Sequence, residues 1–229
     1  MKIGILAAMA EEVRELVAAM DDYEQVSYGG QLFYDGTLSG ISVTLVQSGI
    51  GKVNAAMATT LLIEHFTCQV ILNTGSAGGI DDSLSIQDLV IADDLTYQDA
   101  DNRVFGYVYG QIPQMPATYP VDEKWLNTLK ATAAMQKFNV KVGQVVTGDS
   151  FVASSKHIAT IKKHLPQALV TEMEGAAVAQ VCYQFQVPAL VVRCVSDVAN
   201  QEASVDFDTF IEQAGKRSAQ LVISWLQQL

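Results

Sequence analysis

The stretch Val170–Asp197, VTEMEGAAVAQVCYQFQVPALVVRCVSD, decides how this chain is read. Glu172 and Glu174 stand at one end; Arg193, Ser196 and Asp197 close the other. Between them lie an apolar helical run over Ala176–Phe185, a proline at 188 and an apolar segment over Ala189–Val192. Strand, helix and strand therefore follow one another, with charge where each meets the next. Charge at both ends of so apolar a segment is costly unless it is paired or used. These groups are read as surrounding a ligand.

Working outward, the rest of the chain repeats the alternation. Lys2–Ala8 is a short apolar run of the kind a buried strand needs. Met9–Met20 carries Val13, Leu16, Val17 and Met20 at helical spacing. Glu11 and Glu12 fall in its first turn, where the helix dipole favours negative charge. Gly29-Gly30 and Ser39-Gly40 bracket QLFYDGTL, and ISVTLVQSG follows, which predicts meandering antiparallel strands. Further strands are expected over Gln69–Asn73, Leu89–Ala92, Val140–Val146, Ala168–Thr171 and Pro188–Val195. Helices are expected over Val53–Phe66, Lys124–Lys137, His157–His164, Ala176–Phe185 and Asp206–Leu229. Asp93–Val121 reads as a long irregular stretch with many aromatics and prolines; loops this long are usually functional or sit in an interface. Thr74–Gly79 reads as a glycine-rich turn whose backbone, Gly78 included, admits close approach of a ligand.

This pattern predicts a single-domain α/β/α sandwich over residues 1–229, with a central mixed β-sheet. No linker, repeat or low-complexity tract divides the 229 residues. Residue clusters at 9–12, 49–51, 75–79, 148–152, 172–174 and 196–197 each follow an expected strand. Ligands of open α/β sheets bind at the carboxyl ends of strands, so the clusters are expected to share one pocket.

Composition narrows the partner. A formal charge of −11 argues against nucleic acid and anionic membranes, whose phosphates would be repelled. No segment reads as a signal peptide or a membrane span. Cys68, Cys182 and Cys194 sit in apolar contexts at no metal spacing, as buried free thiols of a reducing, cytoplasmic compartment do. His157 and His164 are seven apart on a basic face and suggest no metal site. Neither a cofactor nor a metal is expected. Gly49-Ile50-Gly51 lacks the third glycine of a dinucleotide fingerprint.

Several candidate residues also have plain structural readings. Asp197 suits a cap after a strand, and Glu174 an ordinary first-turn acid. Arg193 could simply neutralise Glu172 in a buried pair. Phe151 is by default a core aromatic.

SGIGKVNAA (48–56), NTGSAGG (73–79), GQIPQMP (110–116), TGDSF (147–151), EMEGAA (172–177) and VVRCVSD (191–197) together resemble the bacterial 5′-methylthioadenosine/S-adenosylhomocysteine nucleosidases, a branch of the purine nucleoside phosphorylase-like family. The resemblance runs from Met1 almost to the C-terminus. It implies a nucleoside phosphorylase-like fold and hydrolysis of the N9–C1′ bond of an adenine nucleoside bearing a 5′ thioether. 5′-Deoxyadenosine is a further implied substrate, and methionine salvage the implied setting.

The resemblance also implies residue roles. Asp197, steadied by Ser196, would serve adenine N7. Glu12 would be general base for a water held also by Ser76 and Arg193. Glu174, beside Glu172 and Met173, would receive the ribose hydroxyls. Phe151 would stack on the purine, and the Val152 backbone would read its edge. Met9, Ile50 and Phe207 would line the sugar and thioether side. A neighbouring subunit of a homodimer would close the 5′ end with Phe105 and Pro113. The residue types suit the chemistry. A departing purine needs an acid, and lifting an aspartate from about 3.9 into the neutral range takes about 4 kcal/mol of differential environment. A cationic sugar gains from carboxylates in a dry pocket.

Departures from the family pattern are Gln98 for a histidine, Ala10 for a glutamate, and small-for-small changes at Ser150 and Gly175. Gln98 falls in the loop assigned to the interface. Two other readings share the sequence: a phosphorylase, which needs clustered arginines to hold phosphate, and a non-catalytic adenosine-binding module. The arginines here are Arg14, Arg103, Arg193 and Arg217, and none lies in the 75–79 turn.

Overall fold

Strand β5 (Val70–Gly79) is the axis of the sheet. The computed structural model describes residues 1–198 and 203–229, with side chains outside 203–206. In it β5 runs parallel to β1 (Lys2–Ala7) on one side and to β10 (Ala189–Asp197) on the other. Beyond β1 lies β4 (Ile41–Gln47), also parallel, which leads antiparallel into β3 (Gln31–Leu38) and β2 (Met20–Tyr28).

The other side closes on itself. β10 pairs antiparallel with β6 (Leu89–Tyr97), β6 pairs parallel with β8 (Val140–Thr147), and β8 pairs parallel with β9 (Ala168–Glu172). β9 then returns to β5 through Gly78–Thr171 and Gly79–Val170. Five strands thus form a ring, with β1, β4, β3 and β2 as a wing. The short β7 (Tyr119–Pro120) adds to β6.

Helices cover both faces because the inner strands are apolar on both. Ile3, Ile5, Ala7 and Leu72 pack with Leu16 of α1 (Ala10–Ala18) and with Leu221 and Trp225 of α6 (Ala203–Leu226). Leu129 of α3 (Glu123–Met135) joins that layer. The alternate residues Leu6 and Ile71 meet Ala58 and Leu62 of α2 (Lys52–Glu64), and Val178 and Cys182 of α5 (Gly175–Phe185). Each buried Leu or Ile contributes about 1.5–3 kcal/mol relative to exposure. A smaller cluster, Ile80, Val146, Val152 and Ile161, lies under α4 (Ser155–His164). The cysteines are all buried and free. Burial raises their thiols, Cys68 to about 11 and Cys194 to about 12.

The expected mixed sheet between helices is present, with instructive departures. β2 escapes a reading by apolar pattern because MDDYEQVSY is almost wholly exposed. It is held by its ladder to β3, by a Tyr23–Tyr34 edge contact and by a Thr37–Asp22 hydrogen bond. Met20, expected to end α1, begins β2 instead. The expected 74–79 turn is strand, since β10 and β9 supply partners for its backbone. β6 runs on to Tyr97, beyond the expected Ala92. Gln98 follows it, buried, with its Oε1 3.1 Å from His157 Nε2; its side chain lies inside this chain. Among the described residues no helix is long and apolar enough to cross a membrane.

Candidate active site

The C-terminal ends of β1, β4, β5, β8, β9 and β10 converge on a cavity of about 440 Å³. Met9, Glu12, Ile50, Ser76, Gly78, Phe151, Val152, Glu172, Met173, Glu174, Ser196, Asp197 and Phe207 line it. Of the expected residues, Arg193, Phe105 and Pro113 are not in the wall. Arg193 lies buried beneath the floor, while Phe105 and Pro113 are exposed elsewhere on the chain.

Glu12 enters from the first turn of α1, two residues after the helix begins. Its Oε2 accepts from the backbone N–H groups of Ala8 (3.0 Å) and Met9 (3.2 Å). Its Oε1 accepts from Ser76 N (2.9 Å) and Ser76 Oγ (3.0 Å). The carboxylate is thereby fixed at the helix's positive end. Gly75 makes this possible: a Cβ there would sit 2.7 Å from Glu12 Oε1 and 2.6 Å from Arg193 Nη1.

Arg193, expected to help hold the water, is tied down through one guanidinium nitrogen. Its Nη2 donates to Glu172 Oε2 and to Asn73 Oδ1. The structural alternative, a buried Arg193–Glu172 pair, is what the fold contains. Glu172 is fully engaged: Oε2 also accepts from Glu174 N (3.1 Å) and Gly175 N (2.8 Å), capping α5, and Oε1 accepts from Thr147 Oγ1. A pair buried this deeply is costly to break from one side, because the survivor is left as an uncompensated charge.

Glu174 is placed differently. Its Oε1 accepts from Gly51 N at 2.8 Å, and its Oε2 lies 3.6 Å from Arg193 Nη2. Burial, reinforced by the Glu172 charge and only partly offset by Arg193, pushes its carboxyl up to about 8. The folded chain thus holds a proton that the unfolded chain releases near 4.5. Stability is fully present below that value and falls as pH rises from about 4.5 to about 8, by at most about 1.4 kcal/mol per pH unit. Glu174→Gln, which cannot ionise, is expected to lack this slope. Thermal melts at pH 5, 6.5 and 8 check it: the variant's melting temperature should gain on the wild type as pH rises. A constant difference would rule out the effect.

Asp197 and Ser196 reach the cavity together because β10 is irregular against β5. Val195 pairs with Ala77 and Asp197 with Gly78, so an extra residue is accommodated between them. Such a bulge re-aims side chains that would otherwise alternate between faces. Ser196 Oγ donates to Asp197 Oδ2 at 3.0 Å. Phe151 is a half-exposed wall residue rather than a core aromatic, edge-on to Phe207 at 5.6 Å between centroids.

Sequence reasoning missed three residues that build this site. Asn73 and Thr147 hold Arg193 and Glu172 from inside the sheet, and Gly51 supplies the amide on Glu174. The signal for the first two was polar residues near the C-terminal ends of otherwise apolar strands. For Gly51 it was a glycine pair before a helix.

The comparisons with known proteins agree with this geometry. Residues 2–227 match the family model described as Phosphorylase superfamily, which sets the class of protein. A 5′-methylthioadenosine/S-adenosylhomocysteine nucleosidase of Staphylococcus haemolyticus is 46% identical over 227 residues, 99% of this chain and all of that one. The S. pneumoniae nucleosidase of that name, solved with the transition-state inhibitor MT-ImmA, superposes with a TM-score of 0.96 at 43% identity over 99% of both chains. The Neisseria meningitidis enzyme with methylthio-immucillin-A gives 0.98 at 39% identity, covering 100% of this chain and 99% of that one. The chain belongs to the 5′-methylthioadenosine/S-adenosylhomocysteine nucleosidase family.

Proposed function

We propose that this protein hydrolyses the N-glycosidic bond of 5′-methylthioadenosine and S-adenosylhomocysteine, releasing adenine and the 5-substituted ribose. The observation that carries the reading is the gathering of Glu12, Glu174 and Asp197, far apart in sequence, around one cavity with an aromatic wall. Asp197, oriented by Ser196, gives a proton to adenine N7 as the N9–C1′ electron pair leaves with the base. Water attacks C1′ and loses a proton to Glu12. Of Glu12's four donors only the Ser76 hydroxyl can rotate away, so water takes its place on Oε1. Glu174 receives the ribose hydroxyls. Positive charge growing on the sugar is attracted to the oxygens of this buried carboxyl group. Phe151 stacks on the purine, the Val152 backbone meets its edge, and Met9, Ile50 and Phe207 flank the thioether.

A phosphorylase reading meets a specific obstacle. Arg193 is committed to Glu172 and Asn73 and is not in the wall, so it does not offer a cation for a phosphate dianion. Adenine release from 5′-methylthioadenosine in phosphate-free buffer tests the choice. Undiminished turnover is expected; an absolute phosphate requirement would reject hydrolysis, and binding without any turnover would favour the adenosine-binding module.

The proposal extends to a cytoplasmic homodimer acting in methionine salvage. Ile50, Val53, Val104, Phe105 and Val108 are exposed apolar side chains, a composition that favours burial against another subunit. Phe105 and Pro113 would then close the cavity of the second copy.

A further inference from the structure

Around the rim of the cavity, three loops are tied by one small polar network. α2 begins at Lys52 after Gly51, which has no side chain to cap it. The acceptor comes from 97 residues away: Lys52 N donates to Asp149 Oδ1 at 2.9 Å. Asp149 N in turn donates to Asp99 Oδ2 at 3.0 Å. Lys52 Nζ spans the two acids, 2.7 and 2.9 Å from the Asp99 oxygens and 3.6 Å from Asp149 Oδ2, and stands over the Tyr97 ring. The loops after β4, β6 and β8 therefore meet at one point.

That point adjoins lining residues of the cavity in two of the loops. Ile50 belongs to the first loop, Phe151 and Val152 to the third. Two consecutive backbone amides also leave in two directions: Gly51 N to Glu174 inside the cavity, Lys52 N to Asp149 at its rim. Whatever shifts Asp149 shifts the amide that holds Glu174. The side chains of Lys52, Asp99 and Asp149 are partly exposed, so their ion pairs contribute little to global stability. Their geometry matters more than their energy.

We propose that Asp149 is a positioning residue for the nucleosidase reaction: by capping α2 from the loop after β8 it fixes Ile50 relative to Phe151 and Val152, so setting the space in which the nucleoside is held, and keeps the Gly51 amide on Glu174. This rests on the function proposed above. Small displacements of groups that orient a substrate are costly in rate or affinity even when the fold is intact.

The test compares Asp149→Ala, which removes the acceptor, with Asp149→Asn, which keeps a carbonyl oxygen for the Lys52 amide. Asp149→Ala is expected to raise KM for 5′-methylthioadenosine about tenfold, more than it lowers kcat. Its melting temperature should stay close to wild type, and hydrogen-exchange protection should fall at Lys52 and over 148–152. Asp149→Asn should restore most of both KM and protection. Lost protection with unchanged KM would overturn the proposal, as would a raised KM that Asp149→Asn fails to rescue. Should the wild type release no adenine, the function itself fails. The dissociation constant of adenine by calorimetry then reads the same space, and equal values for wild type and Asp149→Ala would overturn the positioning role.

Discussion

Replacing Asp197 by Asn is expected to lower adenine release by about 10²- to 10⁴-fold, the range a positioned general acid supplies, while the chain folds normally. The side chain is buried at the end of β10 and aimed into the cavity by the bulge at Ser196. The amide oxygen of Asn takes over the hydrogen bond from Ser196 Oγ, so the local geometry survives. What disappears is the transferable proton. Steady-state adenine release beside a thermal melt checks both halves. A fold-competent variant turning over at the wild-type rate would remove Asp197 from the reaction.

Glu12→Gln should be comparably inactive and less stable. The wild-type carboxylate accepts from three backbone N–H groups and one hydroxyl. An amide brings a donor where one oxygen stood. Turned towards Ala8 and Met9, it would face two fixed N–H groups. Turned towards Ser76, it faces one, because the hydroxyl can rotate to accept. The second orientation is therefore expected, leaving one buried N–H unsatisfied at about 1–3 kcal/mol. A domain of ordinary stability survives that. The expected result is a folded protein with a lowered denaturation midpoint, at least about 10²-fold slower. A variant slowed no more than twofold would show that water is activated elsewhere.

How far the sequence foretold this site depends on what each residue answers to. The buried strands and helices were legible because their apolar periodicity answers to local burial, as in Ile3–Ile5–Ala7 against Leu6. The clusters at the strand ends were legible too, since charge and glycine beside apolar runs call for a reason. β2 was not, because its residues answer to a neighbouring ladder rather than to a core. Ring closure through Gly78–Thr171 was hidden for a related cause: it is a pairing across 93 residues that leaves no mark on either strand's pattern. That Arg193 pairs with Glu172 was legible only as one option beside holding water, and the packing of Asn73 and Thr147 around the two is what the sequence did not display.

Gly75 carries one more implication, for the genetics of the protein. Every missense change of a glycine codon specifies a residue with a Cβ, and at position 75 that atom would press on both the carboxylate of Glu12 and the guanidinium of Arg193. No missense allele is expected to be neutral there. Random libraries selected for activity should return this codon with synonymous substitutions alone.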